Sequence, residues 1–152
     1  ENFKAVIDAI LIERNKHQKK PKIFVKISPD EEFSTYKGLI ETINNSAIDG
    51  VIISNTSNNQ NLKESLNVAH LPGGISGKSL KNSANKILKE IKIMINKEKI
   101  IVAVGGISDV DSYNEKIELG ADLVQMYTGL IYEGPNLVKR IVKNDNQISS
   151  NS

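Results

Sequence analysis

Hydrophobic positions along this chain switch repeatedly between two spacings. Phe3, Val6, Ile7, Ile10 and Leu11 recur every three to four residues, so one face of a helix is apolar until about His17. Pro21 blocks its continuation. Ile23 to Ile27 is a short β-branched run that predicts a strand. The turn Ser28-Pro29-Asp30 closes it, and Asp30 or Ser34 is suited to cap the next helix. That helix carries the stripe Phe33, Tyr36, Leu39, Ile40 and Ile43. Gly50 precedes a second strand, Val51 to Ser54, and a polar stretch, Asn55 to Ser79, follows it. Leu80, Ala84, Ile87, Leu88, Ile91 and Met94 make a third helical stripe. Then come a strand at Ile100 to Val104, a helix at Val110 to Leu119, a strand at Leu123 to Tyr127 and a last helix at Pro135 to Val142.

Strands that alternate with helices predict a parallel sheet with right-handed crossovers. The strand runs are almost wholly apolar, as expected when both faces are covered. About four strands are half of an eight-stranded barrel, and four alone leave two open edges. The expected fold is therefore α/β, the C-terminal half of a TIM (β/α)8 barrel over residues 1–143, with 144–152 a polar, disordered tail. The N-terminal half of the barrel would come from further polypeptide or from a second half. A small open doubly wound sheet is the alternative.

Composition narrows the chemistry. The chain has 152 residues, a net charge of +2 and no cysteine. So small a charge does not argue for nucleic acid, and the basic cluster Lys16 to Lys22 reads as a solvated helix end. Without cysteine there is no disulfide, thiolate metal site or thiol nucleophile. No apolar run approaches the roughly 18 residues of a membrane span. His17 and His70 sit among polar residues, and no metal-ligand spacing stands out.

The chemistry-bearing strings fall at predicted strand ends. Val102-Ala103-Val104-Gly105-Gly106-Ile107-Ser108 and Asp122-Leu123-Val124-Gln125-Met126-Tyr127-Thr128-Gly129 are two consecutive strands that end in small, amide-presenting residues. In a (β/α)8 barrel, loops after the last two strands make a phosphate-binding corner, with bare amides at a helix start turned to the anion. Lys26 interrupts the first strand and, by alternation, points away from Val25 and Ile27. A lysine within an apolar barrel strand points to an anionic partner in the centre; the other reading is a lysine that reaches solvent from an edge strand. Ser54-Asn55-Thr56-Ser57 offers hydroxyls and an amide to a polar ligand, and Gly73-Gly74-Ile75-Ser76-Gly77 is a glycine-rich turn before a helix.

In this order the strings resemble the C-terminal half of class two dihydroorotate dehydrogenases. That family shows a Val-Lys-Ile-x-Pro-Asp strand end, an Asn-Thr-Thr strand end, a Gly-Gly-x-Ser-Gly turn, a Gly-Gly-Ile loop and a Tyr-Ser/Thr-Gly strand end. Here they read Val25 to Asp30, Asn55 to Ser57, Gly73 to Gly77, Gly105 to Ile107 and Tyr127 to Gly129. The resemblance implies oxidation of dihydroorotate to orotate with FMN, electrons passing to a membrane quinone, as a step of pyrimidine biosynthesis. By the resemblance, Lys26 would stabilise reduced, anionic flavin, and Ser54, Gly77, Gly106, Tyr127 and Thr128 would complete the FMN site. Asn55 and Thr56 would bind the substrate ring. Ser57 replaces the second threonine and keeps a hydroxyl.

The family's catalytic serine belongs to the other half of the barrel, and neither Ser76 nor Ser108 takes its place, so this half is not expected to turn over alone. The quinone would be reached through the missing N-terminal part, and membrane association would not involve this segment. In a eukaryote the implied location is the mitochondrial inner membrane. Two other readings stand beside this one. One is a different phosphate-binding barrel enzyme, and the other is a non-catalytic half-barrel that binds a phosphorylated ligand or a partner chain.

Overall fold

The computed structural model describes residues 2–150, with side chains through 145. Strands β1 (Phe24–Ile27), β2 (Gly50–Ile53), β3 (Ile100–Val104) and β4 (Leu123–Gln125) form one parallel sheet in the order β1-β2-β3-β4. The helices are α1 (Asn2–Asn15), α2 (Phe33–Asn44), α3 (Gln60–Ser65), α4 (Lys81–Met94), α5 (Val110–Glu118), α6 (Thr128–Glu133) and α7 (Asn136–Ser150). A 3₁₀ turn, Gly77–Leu80, leads into α4.

Register explains where the core lies. Val25, Val51 and Ile101 stand in one cross-strand row, and Ile27, Ile53, Ala103 and Val124 in another on the same face. That face packs under Ile7 of α1, Tyr36, Ile40 and Ile43 of α2, and Ile87, Leu88 and Ile91 of α4 in one continuous buried cluster. The opposite face carries the row Lys26, Ile52, Val102 and Leu123. Lys26 is exposed there and Leu123 is 55% exposed. The expectation that both faces are covered is thus corrected: within this chain only one is. Apolar residues such as Ile52 and Leu123 still line this face, so the strands read as doubly buried from sequence. Sequential strand order is the winding of a barrel, whereas a doubly wound sheet reverses direction at a switch point. The chain is therefore an α/β half-barrel.

Differences from the expected elements have local causes. Helix α1 stops at Asn15, two residues before His17. Helix α3 lies inside the stretch read as irregular; it buries no side chain, so it has no stripe to read. Helix α6 starts directly where β4 was expected to end and is only six residues long. Neither Asp30 nor Ser34 caps α2; Glu32 occupies the cap position without a side-chain bond. Helix α7 runs past Val142 and Lys143 to Ser150, since neither glycine nor proline interrupts it. The expected tail is therefore helical from 144 to 150, and its last two residues lie outside the described ones.

At the N-terminal edge of the sheet, Asp49 gathers the Lys22 ammonium at 2.7 Å, the Ile23 N–H at 2.8 Å and the Arg14 guanidinium at 3.3 Å. Desolvation raises its pKa, but these hydrogen bonds and charges outweigh it and hold the carboxyl below its ordinary value.

Candidate functional site

A cavity of about 440 Å³ opens at the C-terminal ends of the strands, on the uncovered side of the sheet. This is within the range of roughly 300–1,000 Å³ usual for small-molecule sites. Lys26, Ser54, Asn55, Thr56, Gly77, Gly106, Tyr127 and Thr128 all line it, although they come from five separate loops and strand ends. The structure thus brings the sequence-selected residues together. It adds Gln125, which faces the same side of β4 as Lys26 does of β1. A lone amide within Leu-Val-Gln carried the same signal as the lone lysine, and sequence reasoning passed over it.

Each strand end presents its groups differently. Ser54 is buried and its hydroxyl donates to the Asn55 carbonyl at 3.1 Å, so it contributes shape more than a free hydroxyl. The Ile53–Ser54 peptide before it is cis. Asn55 Oδ1 accepts from the Thr56 N–H at 3.0 Å, while its Nδ2 donates to nothing among the described residues. The Asn55 side chain therefore offers a donor to the cavity. Thr128 Oγ1 lies 2.9 Å from Ser76 Oγ and ties the end of β4 to the glycine-rich turn. Tyr127 is 76% exposed at the rim of the cavity.

The β3–α5 loop is where backbone amides are free. Gly106 and Ile107 are buried, yet their N–H groups donate to no oxygen among the described residues. Buried unpaired N–H groups are rare in folded proteins because each costs a lost hydrogen bond. The start of α5 itself is closed. The Asp109 carboxylate accepts from the Ser112 N–H at 2.7 Å, and Ser112 Oγ accepts from the Asp109 N–H at 3.1 Å. These hydrogen bonds hold the Asp109 carboxyl below its usual range, against some desolvation. A carboxylate thus already occupies this terminus, and the free amides on this side of the cavity are those of the loop before it.

Two glycines fix the shape of the wall. Gly106 has φ +78°, and a Cβ there would strike the backbone and side chain of Lys81 at the start of α4. Lys81 is held there by a 2.6 Å ion pair with Glu115 of α5. Gly77 has φ +75°, and a Cβ would lie 2.9 Å from Thr128 Cγ2. Both positions require glycine for backbone conformation as well as for clearance. No cluster of potential metal ligands occurs among the described residues, and no described helix is long and apolar enough to cross a membrane.

Parallel strands whose polar groups converge beyond their C-terminal ends, beside unpaired loop amides, define the ligand-binding half of a (β/α)8-barrel protein. A family model described as dihydroorotate dehydrogenase matches residues 3–148. The chain belongs to the dihydroorotate dehydrogenase family. The dihydroorotate dehydrogenase (quinone) of Pseudoalteromonas translucida is 42% identical over 127 residues, 84% of this chain and 38% of that protein. The enzyme of the same name from Haemophilus influenzae is 37% identical over 142 residues, 93% of this chain and 42% of that protein. The crystal structure of DHODH from Eimeria tenella in complex with ferulenol superposes with a TM-score of 0.83 at 28% identity, covering 95% of this chain and 45% of that one. The chain thus spans about two fifths of the curated relatives it matches.

Proposed function

We propose that this chain supplies part of the FMN and dihydroorotate sites of a quinone-dependent dihydroorotate dehydrogenase. The observation that carries the reading is the pair of buried, unpartnered N–H groups at Gly106 and Ile107 on a cavity that Lys26, Asn55 and Thr56 also line. Such amides suit a phosphate, and glycine at 77 and 106 lets this wall pack closely against Thr128 and Lys81. The residues fit FMN: Gly77, Gly106, Tyr127 and Thr128 would hold its phosphate end, and Lys26 and Ser54 its ring. Bound there, FMN would take a hydride equivalent from dihydroorotate and supply electrons to the quinone. Lys26 would place its ammonium where negative charge develops when FMN is reduced. Asn55 and Thr56 orient the substrate ring by hydrogen bonds.

The base, the quinone site and any membrane attachment belong to polypeptide outside this chain, and for a eukaryotic source the mitochondrial inner membrane is the proposed location. The test is the absorbance spectrum of the purified full-length gene product, followed by addition of dihydroorotate without oxygen. Flavin bands that bleach on addition support the proposal. A colourless protein, or a flavin that dihydroorotate leaves oxidised, overturns it.

A further inference from the structure

Asp30 follows β1 and does not line the cavity, yet it controls a loop that does. One carboxylate oxygen accepts from the Ser57 hydroxyl at 2.5 Å and the other from the Asn58 N–H at 2.5 Å. Ser57 is 2% exposed, and its Oγ also accepts from the Asn59 N–H at 3.1 Å. Its backbone pairs in both directions with Ile75, at 3.0 and 2.7 Å, in an isolated antiparallel bridge. That bridge lays the glycine-rich turn against the end of β2, where Thr56 fills the space a side chain at Gly74 would need. Asp30 is itself held from behind. The buried Tyr36 of α2 donates to the Ser28 carbonyl at 3.0 Å and accepts from the Glu31 N–H at 3.3 Å, so the turn carrying Asp30 rests on the helix layer.

We infer that Asp30 is a positioning residue, a clasp that fixes Asn55 and Thr56 for the substrate ring by holding Ser57 and Asn58 immediately after them. This rests on the proposed function. Asn55 and Thr56 are exposed in the cavity, and their loop is anchored before them by the Asn55 N–H on the Ile27 carbonyl at 2.8 Å and after them by the Ser57–Ile75 backbone bridge and by Asp30. Removing Asp30 leaves the backbone bridge to Ile75 in place but frees the Ser57 side chain and the Asn58 N–H, so the loop can shift at the residues next to Asn55 and Thr56. A ring-binding pair displaced by a fraction of an ångström loses affinity without losing the fold.

The experiment uses the full-length enzyme with Asp30→Asn, Ser57→Ala and the double substitution. Readouts are KM and kcat for dihydroorotate, orotate affinity from the flavin absorbance change, FMN content and melting temperature. Asparagine keeps the size of Asp30 but offers one acceptor oxygen instead of two. The expected result is a rise of tenfold or more in KM and in the orotate Kd, a smaller fall in kcat, and wild-type FMN content and melting temperature. The double variant should be no worse than the poorer single one, because both break the same clasp. Unchanged KM and orotate affinity in both single variants would overturn the inference. So would substrate affinity that declines only in step with FMN content and melting temperature, the behaviour of a general structural residue. If the wild-type protein holds no flavin and binds no orotate, the functional proposal itself fails, which its own control reveals before any variant is compared.

Discussion

Lys116 of α5 should make this protein less stable at neutral pH than the same fold with an apolar residue there. The side chain is 0% exposed, and its ammonium has one hydrogen-bond partner, Asn85 Oδ1 of α4. Burial pushes its pKa down from 10.5 to about 8, with Glu115 opposing and Lys81 adding to the shift. In the unfolded chain the amine keeps its ordinary value, so between pH 8 and 10.5 the unfolded state binds more protons than the folded one. Stability therefore rises with pH across this window and is lowest below it. A displacement of about 2.5 units corresponds to roughly 3 kcal/mol at pH 7, falling to about 1 kcal/mol by pH 10. Lys116→Met keeps the length and removes the charge, while half-buried Asn85 can turn to water. Urea unfolding of wild type and variant at several pH values measures the difference directly. The variant's advantage should be largest at pH 7 and shrink by about 2 kcal/mol or more at pH 10. A difference that is flat with pH would refute the reasoning, because it would mean that Lys116 enters the fold without a shifted titration.

Other substitutions test other parts of the structure. Gly106→Ala should lower flavin content and also cost about 1–2 kcal/mol of stability, because it meets both an unfavourable φ and the Lys81 backbone; flavin per protein and the melting temperature read the two effects separately. Asn55→Ala should reduce kcat/KM for dihydroorotate by about ten- to a hundredfold through an unpaired ring group, with FMN content unchanged. Asp49→Asn should destabilise by roughly 1–3 kcal/mol at pH 7, since Arg14 and Lys22 lose their partner. Because the Asp49 pKa is lowered by folding, the wild-type advantage is present above the ordinary value of 3.8 and lost as pH falls through the depressed one, which acid unfolding curves would follow.

Alternation within strands made the sheet legible. It put Lys26 on the face opposite Val25 and Ile27, and the register confirms that placement. The same rule applied to Leu123-Val124-Gln125 would have found Gln125, but one amide is a weaker anomaly than one charge. Helices with a buried stripe, such as α2 and α4, were readable, whereas α3 and α6 are short and bury at most one residue each. Ser57 was read only as one of the hydroxyls that the end of β2 offers to a polar ligand. It is buried and bonded to a carboxylate 27 positions earlier, a pairing that no local pattern encodes. Gly106 was read as an amide-presenting residue of the FMN site. Its contact with Lys81 needs the approach of α4, which only tertiary structure supplies.

The strand order has a consequence for how the chain is built. Each strand pairs with the next one in sequence, so every ladder can close as soon as one further βα unit has emerged from the ribosome. The helix-covered layer can then consolidate in the order of synthesis, without waiting for distant segments. The bare side of the sheet has no such schedule. Leu123 there, 55% exposed, and half-buried Ile52 stay wet until something outside the four-stranded unit covers them. In a nascent polypeptide this face is the last to dry, and it is where a chaperone would have most to protect.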